Sequence, residues 1–248
     1  YKSKIYLDYD DYVFDNYNFK LYFLNYLFKN KFQFILKNSN SIIVGNSYLK
    51  KYVIKYNQNV KILPTLVNVQ KYNQESTNKF KTISIIWIGT PSTVKYLQNI
   101  MPFLNILREK INFDLVVIGA KLKTNNSFVK YFDWKESTEI KILKSCHIGV
   151  MPLDNTTWSK GKCGLKILQY MAARLPVVAS CIGANKDIVR HEFDGYLVDE
   201  NKEWIEYLLK LITNHDLRKQ LGNRGYEKII DKYSYESNLN KYLKIIEK

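Results

Sequence analysis

Residues Gly161-Lys-Cys-Gly-Leu-Lys-Ile-Leu-Gln-Tyr-Met-Ala-Ala-Arg-Leu-Pro-Val-Val-Ala-Ser180 decide how the rest of the chain is read. Leu165, Leu168, Met171 and Ala172 recur at helical spacing, and Pro176 then opens a short apolar run, Val177-Val178-Ala179, with the character of a buried strand. A helix that runs straight into a parallel strand puts its N-terminus, near Gly164, at the carboxyl edge of a sheet. Unpaired backbone N–H groups and the helix dipole favour an anion there. Lys162 and Lys166 flank the opening, and Lys166 and Gln169 lie three apart on one helix face. The stretch reads as a phosphate and ribose site, with Lys162, Gly164, Leu165, Lys166 and Gln169 as its candidate residues. Spacing alone allows a core helix with solvated lysines equally well.

Working outward, 248 residues with 46% hydrophobic content suffice for one large or two modest packed domains. Apolar runs such as Ile85-Ile86-Trp87-Ile88 fall far short of the roughly 20 residues a membrane helix needs. Neither a membrane span nor a signal peptide is expected. Cys146, Cys163 and Cys181 are odd in number and lack paired metal-ligand spacing, which suits reduced thiols in a cytoplasmic protein and gives no expectation of disulfides or zinc. A net charge of +15 favours phosphates, nucleic acid or an anionic membrane face. The lysines are scattered among Tyr and Asn, a mixture that an AT-rich coding sequence also produces.

Lys4 to Leu7 has a short strand pattern leading into Asp8-Tyr-Asp-Asp11, and residues 12 to 37, dense in Phe, Tyr and Leu (Phe19, Tyr22, Phe23, Tyr26, Leu27), predict one or two helices. Ser41 to Val44 predicts a strand, Ser47 a cap for a helix from Tyr48 to Tyr56, and Val60 to Pro64 the next strand. Polar residues 73–80 serve as a linker. Beyond it, strands over Ile83–Ile88, Phe113–Gly119, Val129–Phe132 and His147–Met151 alternate with helices over Val94–Lys110 and from Ser137, the latter capped by Ser137 itself. Asp154 to Gly161 reads as a polar loop, and Tyr196–Val198 as the last strand. Amphipathic helices follow to the C-terminus. Alternation of this kind calls for an α/β fold with a parallel sheet and helices on both faces.

The segment from Gly164 to Ala172, followed by Leu-Pro-Val-Val-Ala-Ser, resembles the donor-site helix of retaining GT-B glycosyltransferases of family 4. The Lys-Cys-Gly-Leu-Lys form is similar to a branch associated with bacterial surface polysaccharides. The resemblance implies a GT-B fold: a partial N-terminal Rossmann-like domain over 1–76 on the acceptor side, and a C-terminal nucleotide-sugar-binding domain over 77–248 whose last helix packs back on the first through Tyr242, Ile245 and Ile246. Two Glu usually bracket this segment in the family; here those positions are Gly161, which has no carboxylate, and Gln169, whose amide can still reach ribose hydroxyls. Gly89 and Lys95 match the family's Gly, Arg, Lys diphosphate grip, with Thr90 at the Arg position. Asp10 takes the place where many members carry a His at the interdomain cleft. Trp134 lies in the loop beside the base, and Gly183 and Asn185 in the loop near the donor sugar.

The reading is therefore a metal-independent, retaining glycosyltransferase that moves a sugar from a nucleoside diphosphate to a cell-surface glycan or lipid-linked acceptor, in the cytoplasm and in peripheral contact with the inner membrane face. The nucleotide sugar is substrate, and no cofactor is implied. Lys95, Lys162 and Lys166 with the Gly164 helix end would stabilise the departing diphosphate. Asp8-Tyr9-Asp10 also fits the Asp-x-Asp metal triplet of another glycosyltransferase fold. Rival functions are a GT-B epimerase or phosphorylase, which would need an acid–base pair not evident here, and a basic nucleic-acid-binding protein, against which the even scatter of lysines argues. A full Rossmann half takes about 150 residues, so the expected first domain is incomplete.

Overall fold

A computed structural model describes residues 4–14, 22–74, 77–124 and 126–246. Its first sheet has three parallel strands in the order β1 (Tyr6–Tyr9), β2 (Ser41–Val44) and β3 (Val60–Ile62). Helix α1 (Tyr22–Asn38) connects the first two strands and α2 (Ser47–Val53) the second pair. Ile42, Val44, Leu49, Val53, Phe14, Phe32 and Leu36 close a small apolar core. Phe19 and the side chains of Tyr22, Tyr26 and Leu27 lie outside what is described, while Phe23 and Phe34 are exposed. Asn46, rather than Ser47, caps α2: its backbone is extended and its side-chain oxygen accepts from the Leu49 N–H.

The second sheet is fully parallel, in the order β6 (Val129–Phe132), β5 (Asp114–Ile118), β4 (Ser84–Ile88), β7 (Ile148–Met151), β8 (Val177–Ser180), β9 (Tyr196–Val198). Side chains alternate across a strand, so β4 serves two cores at once. Ile85 and Trp87 pack with Leu97 and Leu104 of α4 (Val94–Lys110) and Trp204 and Leu208 of α9 (Glu203–Thr213). Ile86 and Ile88 pack with Leu168 and Met171 of α7 (Leu165–Ala172) and Tyr226 of α10 (His215–Lys228). Burial on both faces explains why these strands read as unbroken apolar runs. Tyr170 lies wholly inside, and its hydroxyl accepts from the Ile88 N–H at 3.1 Å.

Helix α3 (Val69–Gln74) lies between the two sheets in sequence. Helix α5 (Glu136–Ser145) follows β6. It starts a residue before Ser137, with Lys135 at its cap position and no side-chain cap. The expected polar loop before Gly161 holds a short helix, α6 (Thr157–Gly161), because Thr156 accepts from the Ser159 N–H and starts a turn. Helix α8 (Ala184–Ile188) follows β8, and a π-helical turn (Ile229–Tyr233) leads into α11 (Tyr235–Ile246). There the chain returns to the segment before α3, where the Val67 N–H bonds the Tyr233 carbonyl at 2.8 Å. Tyr242 is 40% exposed, so it does not belong to a buried face of α11, while Ile245 is half-buried and the side chain of Ile246 lies outside what is described. Among the described residues no helix is long and apolar enough to cross a membrane.

Candidate functional site

In the second sheet the connection from β4 leads outward to β5 and the next inner neighbour is β7, so the strand order reverses between β4 and β7. Ligands of open parallel sheets bind in the crevice outside the carboxyl ends at such a point. Gly164 sits at that edge with φ +72° and caps α7 without any side-chain hydrogen bond. A Cβ here would be strained by the left-handed backbone and would meet Ile188 Cδ1 at 2.3 Å. The first N–H groups of α7 therefore meet the crevice without a side-chain cap.

Two adjoining cavities share Ile88, Gly89, Thr90, Leu165 and Lys166 in their walls. The larger, about 1220 Å³, also takes in Trp134, Glu139 and Gln169, with Val67, Asn68 and Tyr72 at and before α3 and Tyr235 of α11. A chain of side chains runs along its floor. The Lys166 ammonium donates to Gln169 Oε1 at 2.9 Å, Gln169 Nε2 donates to Glu139 Oε1, and the Trp134 indole N–H donates to Glu139 Oε2. The Tyr72 hydroxyl is also hydrogen-bonded to Gln169, and burial raises its pKa. Burial lowers the Lys166 pKa, against the pull of the Glu139 charge.

The smaller cavity, about 230 Å³, is bounded by Asp10, Asp11 and Thr65 on one side and by Tyr96, Lys162, Cys163 and Gly164 on the other. Lys162 is paired with Asp11 at 3.9 Å and lies over the Trp158 ring. Burial raises the Asp11 pKa against the Lys162 charge, and neighbouring Asp10 adds to the rise. Burial, with Asp11 and Asp10 adding to it, pushes the Cys163 thiol up to about 12, which leaves it inert as a nucleophile. The backbone around Lys162 is clamped to the first sheet, because Asn46 Nδ2 donates to the carbonyls of Gly161 at 3.0 Å and Lys162 at 3.2 Å. Gly161 lies so close to Tyr12 that an added Cβ would fall 2.2 Å from the Tyr12 Cβ. That contact leaves no room for the carboxylate seen at this position in the resembling family.

The structure thus gathers Asp10, Gly89, Thr90, Trp134, Lys162, Gly164, Leu165, Lys166 and Gln169 around joined cavities. It sets three other candidates apart. Lys95 lines neither cavity; it is exposed in the first turn of α4 with its ammonium 5.0 Å from the Tyr96 ring centre. Burial raises the Asp154 pKa, but hydrogen bonds from Ser159 and Thr156 and the Lys95 charge outweigh it and hold the group below its ordinary value. Asn185 is fully buried and donates to the Ser180 carbonyl at 3.0 Å, which closes the end of β8. Gly183 lines a third cavity, about 730 Å³, beyond β7, β8 and β9. Sequence reasoning missed Glu139, Tyr72 and Tyr235. Glu139 carried one signal: it is an acidic residue in the first turn of the helix that follows the Trp134 loop.

Among known proteins, the family described as glycosyl transferases group 1 matches residues 68–228. A probable sucrose-phosphate synthase of Thermosipho melanesiensis is 24% identical over 220 residues, covering 82% of this chain and 50% of that protein. The chain thus spans half the length of this relative. Among solved structures, TarM superposes with a TM-score of 0.69 at 21% identity, covering 89% of this chain and 46% of the other. Anabaena HepE in complex with UDP and glucose superposes at 0.78 and 10% identity, covering 97% and 71%. The fold is the GT-B arrangement of these glycosyltransferases.

Proposed function

This chain belongs to the glycosyl transferases group 1 family, and on that footing we propose that it binds a nucleoside-diphosphate sugar at the start of α7. The activity proposed for the whole protein is retaining transfer of that sugar to a cell-surface glycan or lipid-linked acceptor, in the cytoplasm at the inner membrane face. The observation that carries the reading is the α7 N-terminus without a side-chain cap, flanked by Lys162 and Lys166, at the point where the strand order reverses. Breaking the bond between sugar and diphosphate leaves negative charge on the departing phosphate. Lys166, Lys162 and the helix end stabilise that charge, each charge-assisted contact contributing roughly 1.5–3 kcal/mol. Lys162 exchanges its distant Asp11 partner for the phosphate. Asp10, on the opposite wall of the smaller cavity, accepts a hydroxyl of the transferred sugar, and Trp134 stacks on the base. Donor binding in this scheme draws its positive charge from lysines and a helix end and needs no divalent metal.

A ligand that binds only the folded state raises the melting midpoint. UDP-, GDP-, ADP- and dTDP-sugars are therefore expected to separate in a thermal-shift panel run with and without a chelator, at least one raising the midpoint in both. No shift from any of them would overturn the reading, and a shift lost in chelator and restored by Mn would revive the Asp8-Tyr9-Asp10 triplet as a metal site. With the whole protein and an acceptor, NMR of the product reads the anomeric configuration, and inversion would refute the retaining mechanism.

A further inference from the structure

We infer that Glu139 is the acceptor of the nucleotide's ribose hydroxyls, with Gln169 and Trp134 as the residues that hold it in place. The inference rests on the donor-site reading above. Glu139 is only 8% exposed, yet it stands in the wall of the larger cavity. A carboxylate so covered persists when hydrogen bonds replace its water. Glu139 has one N–H donor on each oxygen, from Gln169 on Oε1 and from Trp134 on Oε2. An ionised carboxylate offers about four acceptor positions, so each oxygen keeps one for a ligand. A vicinal diol presents two O–H donors and matches what remains.

Gln169 is less suited to that task. Its Oε1 already accepts from the Lys166 ammonium, its Nε2 donates to Glu139, and the Tyr72 hydroxyl is bonded to the same amide, so three of its four hydrogen-bonding positions are taken. The amide thus links a cation to a carboxylate. Along the cavity the order is aromatic ring, carboxylate, amide, ammonium: Trp134, Glu139, Gln169, Lys166. It is the order in which a nucleotide presents base, ribose and phosphate. Trp134 is 55% exposed and its indole N–H is tied to Glu139, so its ring is fixed beside the carboxylate with a face free for stacking. The carboxylate missing at position 169 is in this way supplied from α5, the helix that carries the chain from β6 back to β7.

The test is calorimetric titration of UDP, GDP and ADP, followed by the 2′-deoxy and 3′-deoxy forms of whichever binds. Wild type is expected to prefer the ribose form by about 10-fold or more, as loss of a hydrogen bond to a charged group implies. Glu139→Gln is expected to shrink that preference to within about twofold, whereas a merely structural Glu139 would weaken all three forms alike. An unchanged ratio in Glu139→Gln overturns the inference. Wild type that binds ribose and deoxy forms equally overturns it too, whether or not the variant folds, and leaves the donor-site reading standing. Wild type that binds no nucleotide removes both.

Discussion

Lys166 is the residue on which the site depends most directly, because it borders both cavities and anchors the hydrogen-bonded row through Gln169 and Glu139. Lys166→Ala is expected to weaken nucleoside-diphosphate binding by roughly 10- to 100-fold, the equivalent of one charge-assisted contact. Lys110→Ala, at the exposed far end of α4, should leave it within about twofold; equal losses would reduce the site to general surface charge. The depressed Lys166 pKa also fixes the sign of a pH effect. A bound dianion favours the charged amine, so affinity is full below the titration of the free site and declines as pH rises through it. Calorimetry across alkaline pH should show this decline in wild type and not in Lys166→Ala. Gly161→Glu offers a separate check on the missing family carboxylate. Crowding against Tyr12 should cost about 1–3 kcal/mol of stability and bring no gain in donor affinity.

Between elements, a buried ion pair joins the turn before β9 to α10. Asp194 is fully buried and accepts from Lys228, itself nearly buried, while Arg190 Nε donates to it at 2.9 Å and the Arg190 N–H at 2.7 Å. Lys228→Met is expected to destabilise the fold by about 3–5 kcal/mol, since it leaves a buried carboxylate short of its closest partner. Adding Asp194→Leu should recover a large part of that loss in a chemical-denaturation series. Such partners were hidden in the sequence, whereas the strands were legible. Ile85-Ile-Trp-Ile and Val177-Val-Ala are continuous apolar runs because the parallel sheet is covered on both faces. Helix starts were less so: Asn46 and Ser47 can both cap, and the choice is made by which one the preceding strand leaves extended. The half of the site on α7 could be read from one stretch, since a single helix start positions Gly164, Lys166 and Gln169. Glu139 could not, because only the lateral order of the sheet brings α5 to α7.

At the scale of the molecule, His147 ties strand order to pH. Its Nδ1 accepts from the Ser84 N–H at 3.1 Å, joining the start of β7 to the start of β4. Burial, with Lys79, Arg218 and His215 adding to it, lowers its pKa from 6.5 to about 4. The unfolded chain therefore binds this proton first as pH falls. Stability is unaffected by His147 above about 6.5, is lost progressively between about 6.5 and 4, and levels off below. Urea midpoints measured across that window should fall in wild type and flatten in His147→Asn; a parallel fall in both would remove His147 as the cause. The same pairing of β4 with β7 has a consequence for how the protein is made. On the ribosome β4, β5 and β6 emerge in succession and can pair at once, but the other side of β4 waits for Ile148 and Gly149, which follow the whole of α5. Every nascent chain thus passes through a stage in which Ile85 and Ile86 present an open, apolar strand edge. Synthesis speed between Phe132 and Ile148, rather than final stability, then sets how long the chain is exposed to aggregation.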